Sequence, residues 1–318
     1  MLIPMIDAWT TLCGGTSFSV NKPLRTPRDA HLKSREPKSA FVSARFVSPT
    51  GKLDYKLFIP ASSAGRPAAL LVMLHGCNQN ATEFAASTGM NEIAERYQCM
   101  VAYPEQSLSA NSGKCWNWFQ DAHHHRGAGE PALIAGVVEQ IMDQYLVDPA
   151  KVFVAGHSAG GAMAVVMART YPELFAAIGC HSGLAYRCAA DSAEALYAMR
   201  HGESTGAVNQ GPRVPMIVFH GDQDSTVHPR NSDGLIDQSV QDDAVTRLQE
   251  VGRVNNREFT REIHRCEDDR VLAERWTVHG AGHAWSGGQE HFDCADVSGP
   301  DASDEMMRFF METVSPPL

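Results

Sequence analysis

Lys151-Val-Phe-Val-Ala155, Gly156-His157-Ser158-Ala159-Gly160 and Gly161-Ala-Met-Ala-Val-Val-Met-Ala-Arg-Thr170 are consecutive, and their reading decides the fold. An apolar run of strand length meets a Gly-x-Ser-x-Gly turn, which meets an apolar run of helix length. A strand that turns sharply into a helix holds the central serine in a strained backbone conformation. Glycines two residues to either side let neighbouring segments approach closely. The Ser158 hydroxyl is thereby pushed into a cleft, with the Ala159 N–H and the positive end of the helix dipole beside it. The stretch reads as a nucleophile elbow rather than a plain glycine-rich connection.

Outward from the elbow, strand-like and helix-like runs alternate from about residue 40, the pattern of an α/β fold with a mostly parallel central sheet flanked by helices. Strands are expected at Phe41–Val47, Tyr55–Ile59, Leu70–Leu74, Met100–Tyr103, Val152–Ala155, Ala177–Cys180, Met216–Phe219 and Arg275–Val278. Helices are expected at Thr82–Arg96, Pro131–Tyr145, Gly160–Thr170, Ala193–Arg200, Asp242–Val251 and Ser303–Thr313, most with apolar residues at three-to-four spacing. No long Pro/Ser linker divides the body, so residues 40–318 read as one catalytic domain behind an N-terminal arm, residues 1–39. Residues 184–213 exceed what a simple helical crossover needs and form either a cover over the cleft or a surface excursion.

Composition limits the function classes. The 318 residues are 43% hydrophobic and 20% charged, ordinary for a globular protein, and no apolar run approaches the ~20 residues that span a bilayer. A net charge of −10 disfavours a nucleic-acid partner. Lys22, Arg25, Arg28, Lys33, Arg35 and Lys38 form a local basic cluster, but Pro23, Pro27 and Pro37 among them mark a solvated arm. Met1–Asp7 lacks a basic stretch followed by a long apolar one, so a cytoplasmic location is expected, or secretion if a leader precedes the chain. Eight cysteines without a C-x-x-C pair suggest neither a disulfide-built scaffold nor a zinc site. Cys266 and Cys294 bracket a glycine-rich loop and either form a bridge or remain two thiols.

A serine hydroxyl needs a base and a carboxylate to orient it. On a sheet entered through such an elbow, the acid and then the histidine should follow the serine, each on a loop beyond a strand. Met216-Ile-Val-Phe-His220-Gly-Asp-Gln-Asp224 supplies a strand running into a turn with two acids. Asp224 is the choice, because the acid nearer the strand is readily consumed by turn hydrogen bonds; Asp222 is the alternative. Trp276-Thr-Val-His279-Gly-Ala-Gly-His283-Ala-Trp285 follows the last strand, and His283, in the glycine-rich loop, can reach back to Ser158. His279 reads as a packed histidine at the strand edge.

Leu70-Leu-Val-Met-Leu-His75-Gly76-Cys77-Asn78-Gln79-Asn80 offers a second oxyanion donor: Gly76 permits a tight turn, and the Cys77 N–H joins that of Ala159. Trp116, Trp118 and Trp285 are candidate walls of a substrate cleft, and equally candidate core residues. His123-His124-His125 reads as a solvated loop rather than a metal site, since consecutive side chains diverge and no carboxylate or thiolate cluster accompanies them.

Leu74-His-Gly-Cys-Asn-Gln-Asn80, Cys115-Trp-Asn-Trp-Phe119, Gly127-Ala-Gly-Glu-Pro131, Ala155-Gly-His-Ser-Ala-Gly-Gly161, His220-Gly-Asp-Gln-Asp224, Gly280-Ala-Gly-His-Ala-Trp285 and Gly299-Pro-Asp-Ala-Ser303 occur in that order. Together they resemble the polyhydroxybutyrate depolymerase family of esterases over roughly residues 45–313. The resemblance implies an α/β-hydrolase fold, Ser158, Asp224 and His283 as triad, Cys77 and Ala159 as oxyanion donors, and no metal or organic cofactor. That family commonly has leucine where His157 stands. The expected partner is an ester substrate, hydrolysed through an acyl-enzyme: a poly- or oligo-(3-hydroxybutyrate) or related short-chain ester. The alternatives are a feruloyl or acetyl-xylan esterase, and a non-catalytic binding protein on the same fold, which would normally lack a triad member.

Overall fold

A computed structural model describes residues 38–202, 213–240 and 244–315. The chain enters through an antiparallel hairpin, β1 (Ala40–Ser48) and β2 (Gly51–Ile59), then builds β3 (Ala68–Leu74), β4 (Cys99–Glu105), β5 (Val147–His157), β6 (Ala177–His181) and β7 (Met216–Gly221). A second antiparallel hairpin, β8 (Thr246–Val254) and β9 (Arg257–Arg265), precedes β10 (Val271–Val278). The ten strands form one sheet in the order β1-β2-β4-β3-β5-β6-β7-β10-β9-β8. The six strands from β4 to β10 run parallel, with antiparallel hairpins at both edges.

The central strands are buried on both faces because helices cover both. All seven residues of β3 are buried, as are all five of β6 and all six of β7. Strand alternation splits them between two cores. Leu70, Val72, Leu74, Val152, Val154 and Ile178 pack with α3 (Gly129–Gln144) and α4 (Ala159–Thr170). Leu71, Met73, Phe153, Ala155 and Phe219 pack with α1 (Ala81–Thr88), α2 (Met90–Tyr97) and α7 (Ala302–Thr313). Phe153 stacks on Phe310 with ring centroids 4.9 Å apart. Burying a side chain of this kind contributes roughly 2–3 kcal/mol. Two further helices, α5 (Ser192–His201) and α6 (Asn231–Val240), close the first layer; Ala195, Ala198, Leu235 and Ile236 join its core.

Several expectations need correction. The single helix expected over Thr82–Arg96 is two, α1 and α2, because Gly89 takes φ 62° between them. Residues 246–251 of the helix expected over Asp242–Val251 belong instead to strand β8; residues 242 and 243 lie outside the described ones. Val245, Leu248 and Val251 have helical spacing, yet Leu248 and Val251 are 50% and 69% exposed. What organises the segment is the Asn255-Asn256 turn, with Asn255 at φ 52°, which pairs β8 with β9 residue for residue. Strand β9 and helix α6 had no counterpart among the expected elements. The arm up to residue 37 and residues 203–212 of the long crossover lie outside the described residues.

Candidate active site

Parallel strands bring their carboxyl ends to one edge, and five of them deliver polar side chains there, Ser158, Asp224 and His283 among them. Strand β3 leads into His75, β5 into Ser158, β6 ends at His181, β7 leads to Asp224 and β10 to His283. Pairing register places Leu74 opposite Gly156, His157 opposite His181, and Gly221 opposite Val278.

Ser158 caps α4 in the conformation the elbow requires, φ 55° and ψ −122°. Its own N–H donates to His181 O at 2.8 Å, and its carbonyl accepts from Ala162 N at 3.0 Å. The flanking glycines are demanded by close approach: a Cβ on Gly160 would lie 2.0 Å from Leu74 O, and one on Gly156 would lie 2.4 Å from Gly160. Ser158 is 8% exposed.

The two acids of the β7 loop separate cleanly. Asp224 Oδ2 lies 2.7 Å from His283 Nδ1, and Oδ1 accepts from the backbone N–H groups of Thr226 and Val227. Asp222 Oδ2 instead holds His279 Nδ1 at 2.9 Å, Oδ1 accepts from Gly280 N at 2.7 Å, and His279 Nε2 meets Thr260 Oγ1. Burial by itself would raise the Asp224 carboxyl. Hydrogen bonds from His220, His283 and Val227 N outweigh it and hold the group well below the usual carboxylate range.

His283 is flanked by further imidazoles. The His157 ring centroid lies 4.9 Å from that of His283 and 5.3 Å from that of His181. Burial, then the nearness of His283 and His181, pushes His157 well below its ordinary value. His181 is pushed down to about 3 by burial, then by His220 and His283. Both rings are therefore neutral near pH 7. His181 Nε2 accepts from Ser286 N at 3.0 Å, which ties the segment after His283 to the end of β6.

The Gly76–Asn80 loop passes directly beside the serine: a Cβ on Gly76 would lie 3.3 Å from His157 Nδ1 and 3.5 Å from Ser158 Cβ. Gly76 N donates to Gln79 Oε1 and Asn78 N to Gly113 O, both at 2.7 Å, while Asn80 caps α1. Among the described residues, neither the Cys77 N–H nor the Ala159 N–H donates to a protein acceptor. Cys77 is also joined to Cys115 by a disulfide. Sequence reasoning missed this bridge, because cysteine pairing cannot be deduced from order alone; both cysteines do sit in recognisable motifs. Cys266 and Cys294 are two thiols.

The tryptophans do not stand open to a cleft. Trp116, Trp118 and Trp285 are 0%, 5% and 1% exposed. Trp285 stacks on His181 at 5.0 Å and donates to Ser303 Oγ, so it braces the floor beneath the histidines. The triple-histidine segment is not simply solvated either. His124 is buried with Nε2 at 2.7 Å from Trp118 O, His123 Nδ1 accepts from Glu130 N, and His125 lies exposed beside Asp121. No described helix is long and apolar enough to cross a membrane.

Comparison with solved structures identifies the architecture as an α/β-hydrolase fold. The acetyl xylan esterase of Aspergillus awamori superposes with a TM-score of 0.64 at 24% identity, covering 85% of this chain and 99% of that one. An S-formylglutathione hydrolase of Agrobacterium tumefaciens gives a TM-score of 0.57 at 16% identity, over 88% and 98% of the two chains. In sequence, the chain is 31% identical to poly(3-hydroxyalkanoate) depolymerase C of Paucimonas lemoignei, over 76% of this chain and 60% of that protein. It is 34% identical to acetylxylan esterase A of Talaromyces purpureogenus, over 57% and 51% of the respective chains. The matches thus span between half and three fifths of these relatives' lengths. Residues 53–257 match the family described as esterase PHB depolymerase, and with this match over most of its length the chain belongs to that family.

Proposed function

We propose that the protein is a serine esterase that hydrolyses carboxylic esters through an acyl-enzyme. Ser158 attacks the ester carbonyl while His283 takes its proton, and Asp224 holds the imidazole with its proton on Nδ1 and stabilises the imidazolium. The tetrahedral oxyanion is received by the Cys77 and Ala159 N–H groups. His283 then returns the proton to the leaving alcohol. Water, activated by the same imidazole, releases the acid and frees Ser158. The observation that carries this reading is the Asp224–His283 pair at 2.7 Å on the same sheet edge as a left-handed serine elbow. Family membership supports it.

For the substrate, oligo- or poly-(3-hydroxybutyrate) and related short-chain hydroxyalkanoates come first, in keeping with the Paucimonas lemoignei relative. A second reading, deacetylation of xylan, draws support from the Talaromyces purpureogenus relative at similar identity and from the Aspergillus awamori fold match. The buried tryptophans serve in either case as support for the site rather than as an exposed polymer-binding wall. The Cys77–Cys115 bridge favours action in an oxidising compartment over the cytoplasm.

The deciding experiment is a purified-enzyme panel of hydroxybutyrate dimers and trimers, polymer granules, feruloyl esters and acetylated xylan, run with Ser158→Ala as control. The serine variant is expected to lose at least about a thousandfold in kcat on a 4-nitrophenyl short-chain ester. Wild-type-like turnover in that variant sinks the mechanism. Preference for acetylated xylan over every hydroxybutyrate ester would replace the first substrate reading with the second.

A further inference from the structure

Strand β8 closes one edge of the ten-stranded sheet and, among the described residues, pairs only with β9. Its nine residues, Thr246-Arg-Leu-Gln-Glu-Val-Gly-Arg-Val254, contain no proline and match β9 residue for residue without a bulge. Proline, bulges and brevity keep an edge from adding another strand, and β8 has none of them. Its outward row of backbone N–H and C=O groups is a template for pairing.

The apolar residues of this edge are Leu248, Val251 and Val254, exposed by 50%, 69% and 38%. Being three apart, they alternate between the two faces of the sheet, and reversing the strand about Val251 lays the set on itself. Antiparallel pairing of two copies in that register sets Leu248 against Val254 of the second copy and Val251 against its own counterpart. A shift of two residues either way leaves none of the three opposite another, and a shift of one turns the second sheet over. The charges of the edge fit the same register. Arg247 pairs with Glu262 of its own hairpin, and Glu250 lies 3.5 Å from Arg261. Across the pair, Glu250 faces Gly252 of the second copy and Arg253 faces Gln249, so no like charges stand directly opposite.

We propose that β8 is a homodimer interface, in which two copies pair antiparallel about a two-fold axis at Val251 and join their sheets into one. The overlap, Leu248–Val254, extends over about 24 Å at ~3.4 Å per residue. A contact of that length lies at the small end of specific interfaces, and association in the micromolar range is expected. The opposite edge, β1, is a poorer partner: Phe41 packs edge-on against Tyr103 at 5.8 Å, and the Phe46 ring occupies the space a Cβ on Gly136 would need. Pairing β8 with β1 of a further copy would also leave free edges and grow a filament, whereas the two-fold closes on itself. Ser158, Asp224 and His283 follow β5, β7 and β10, so each copy keeps its own site.

Sedimentation velocity between about 5 and 200 µM should show the full chain passing from monomer to dimer as concentration rises. Val251→Lys, an exposed change that sets two ammonium groups face to face across the axis, is expected to weaken the dimer by about tenfold or more while kcat on a 4-nitrophenyl short-chain ester stays within about twofold. Val251→Cys reads the register. Opposed residues of an antiparallel pair have Cα atoms about 4.5–5.5 Å apart, within the span of a disulfide. Mild oxidation should therefore link the two introduced thiols, as a peptide map shows, whereas Gln249→Cys, which faces Arg253, should give no such link. The map also separates this bond from any made through Cys188, Cys266 or Cys294, which are thiols in the parent. A monomer at every concentration overturns the proposal. So do a dimer indifferent to Val251→Lys, linking through Gln249→Cys rather than Val251→Cys, and growth into polymers instead of a closed pair.

Discussion

Asp224 Oδ2 lies 2.7 Å from His283 Nδ1, although a second carboxylate and a second histidine stand within four residues of this pair. Asp222 holds His279 at 2.9 Å on the outer side of the same loops. Asp224→Asn should therefore lower kcat by about a thousandfold or more, by leaving His283 in the wrong tautomer. Asp222→Asn should leave kcat within about threefold of the parent. Steady-state kinetics on both variants checks this, and a reversed order of effects would reassign the acid.

Stability should fall as pH drops below neutrality. His157 and His181 are buried and held neutral, with His181 pushed down to about 3. An unfolded histidine takes up a proton near pH 6.5, and the folded one refuses it. Between those values the unfolded chain binds more protons, so folding stability is greatest above the unfolded value and declines as pH falls. Each such histidine contributes a slope of up to ~1.4 kcal/mol per pH unit. Denaturant unfolding between pH 7.5 and 5.5, above most of the range in which carboxylates titrate, measures it; a flat profile, or one rising toward acid, contradicts the assignment.

Reducing the Cys77–Cys115 bridge, which closes a sequence separation of 38, should lower stability by up to about 4 kcal/mol. Esterase activity should decline as well, because the bridge holds the segment that presents the Cys77 N–H. Unfolding and kinetics with and without a thiol reductant, beside Cys115→Ser, give the comparison. A peptide pair linked through Cys77 and Cys115 in a non-reduced digest is the direct chemical check.

Gly160→Ala would put a methyl group 2.0 Å from Leu74 O and 2.6 Å from His75 O, both backbone atoms that cannot turn aside. A loss of more than about 3 kcal/mol in stability is expected, since strand β3 must shift from the elbow. Gly282→Ala, with nothing within 4 Å of the added carbon, should change stability by less than about 1 kcal/mol. Thermal unfolding of the two variants tests the contrast.

Much of the sheet was legible in short apolar runs, because strands covered on both faces admit few polar residues; β3, β6 and β7 are of this kind. Edge strand β8 was not. Its residues are nearly all exposed, so their polarity carries no signature of the sheet, and helical spacing in the sequence misled. The tryptophan ambiguity had a similar root, since a large flat side chain suits a cleft wall and a core equally until its exposure is known.

By itself the sequence determined the order of the candidate residues: a serine between glycines after an apolar strand, acids after a later strand, and a histidine after the last. Local sterics and apolar runs are short-range properties, and they are written in neighbouring residues. Tertiary structure alone decided which acid meets which histidine, that Cys77 is bonded to Cys115, and that His157, beside Ser158, packs its ring against His283. Those relationships join residues from separate strands and loops. Their distances are set by how the parallel sheet registers its carboxyl ends, which no local stretch of the chain contains.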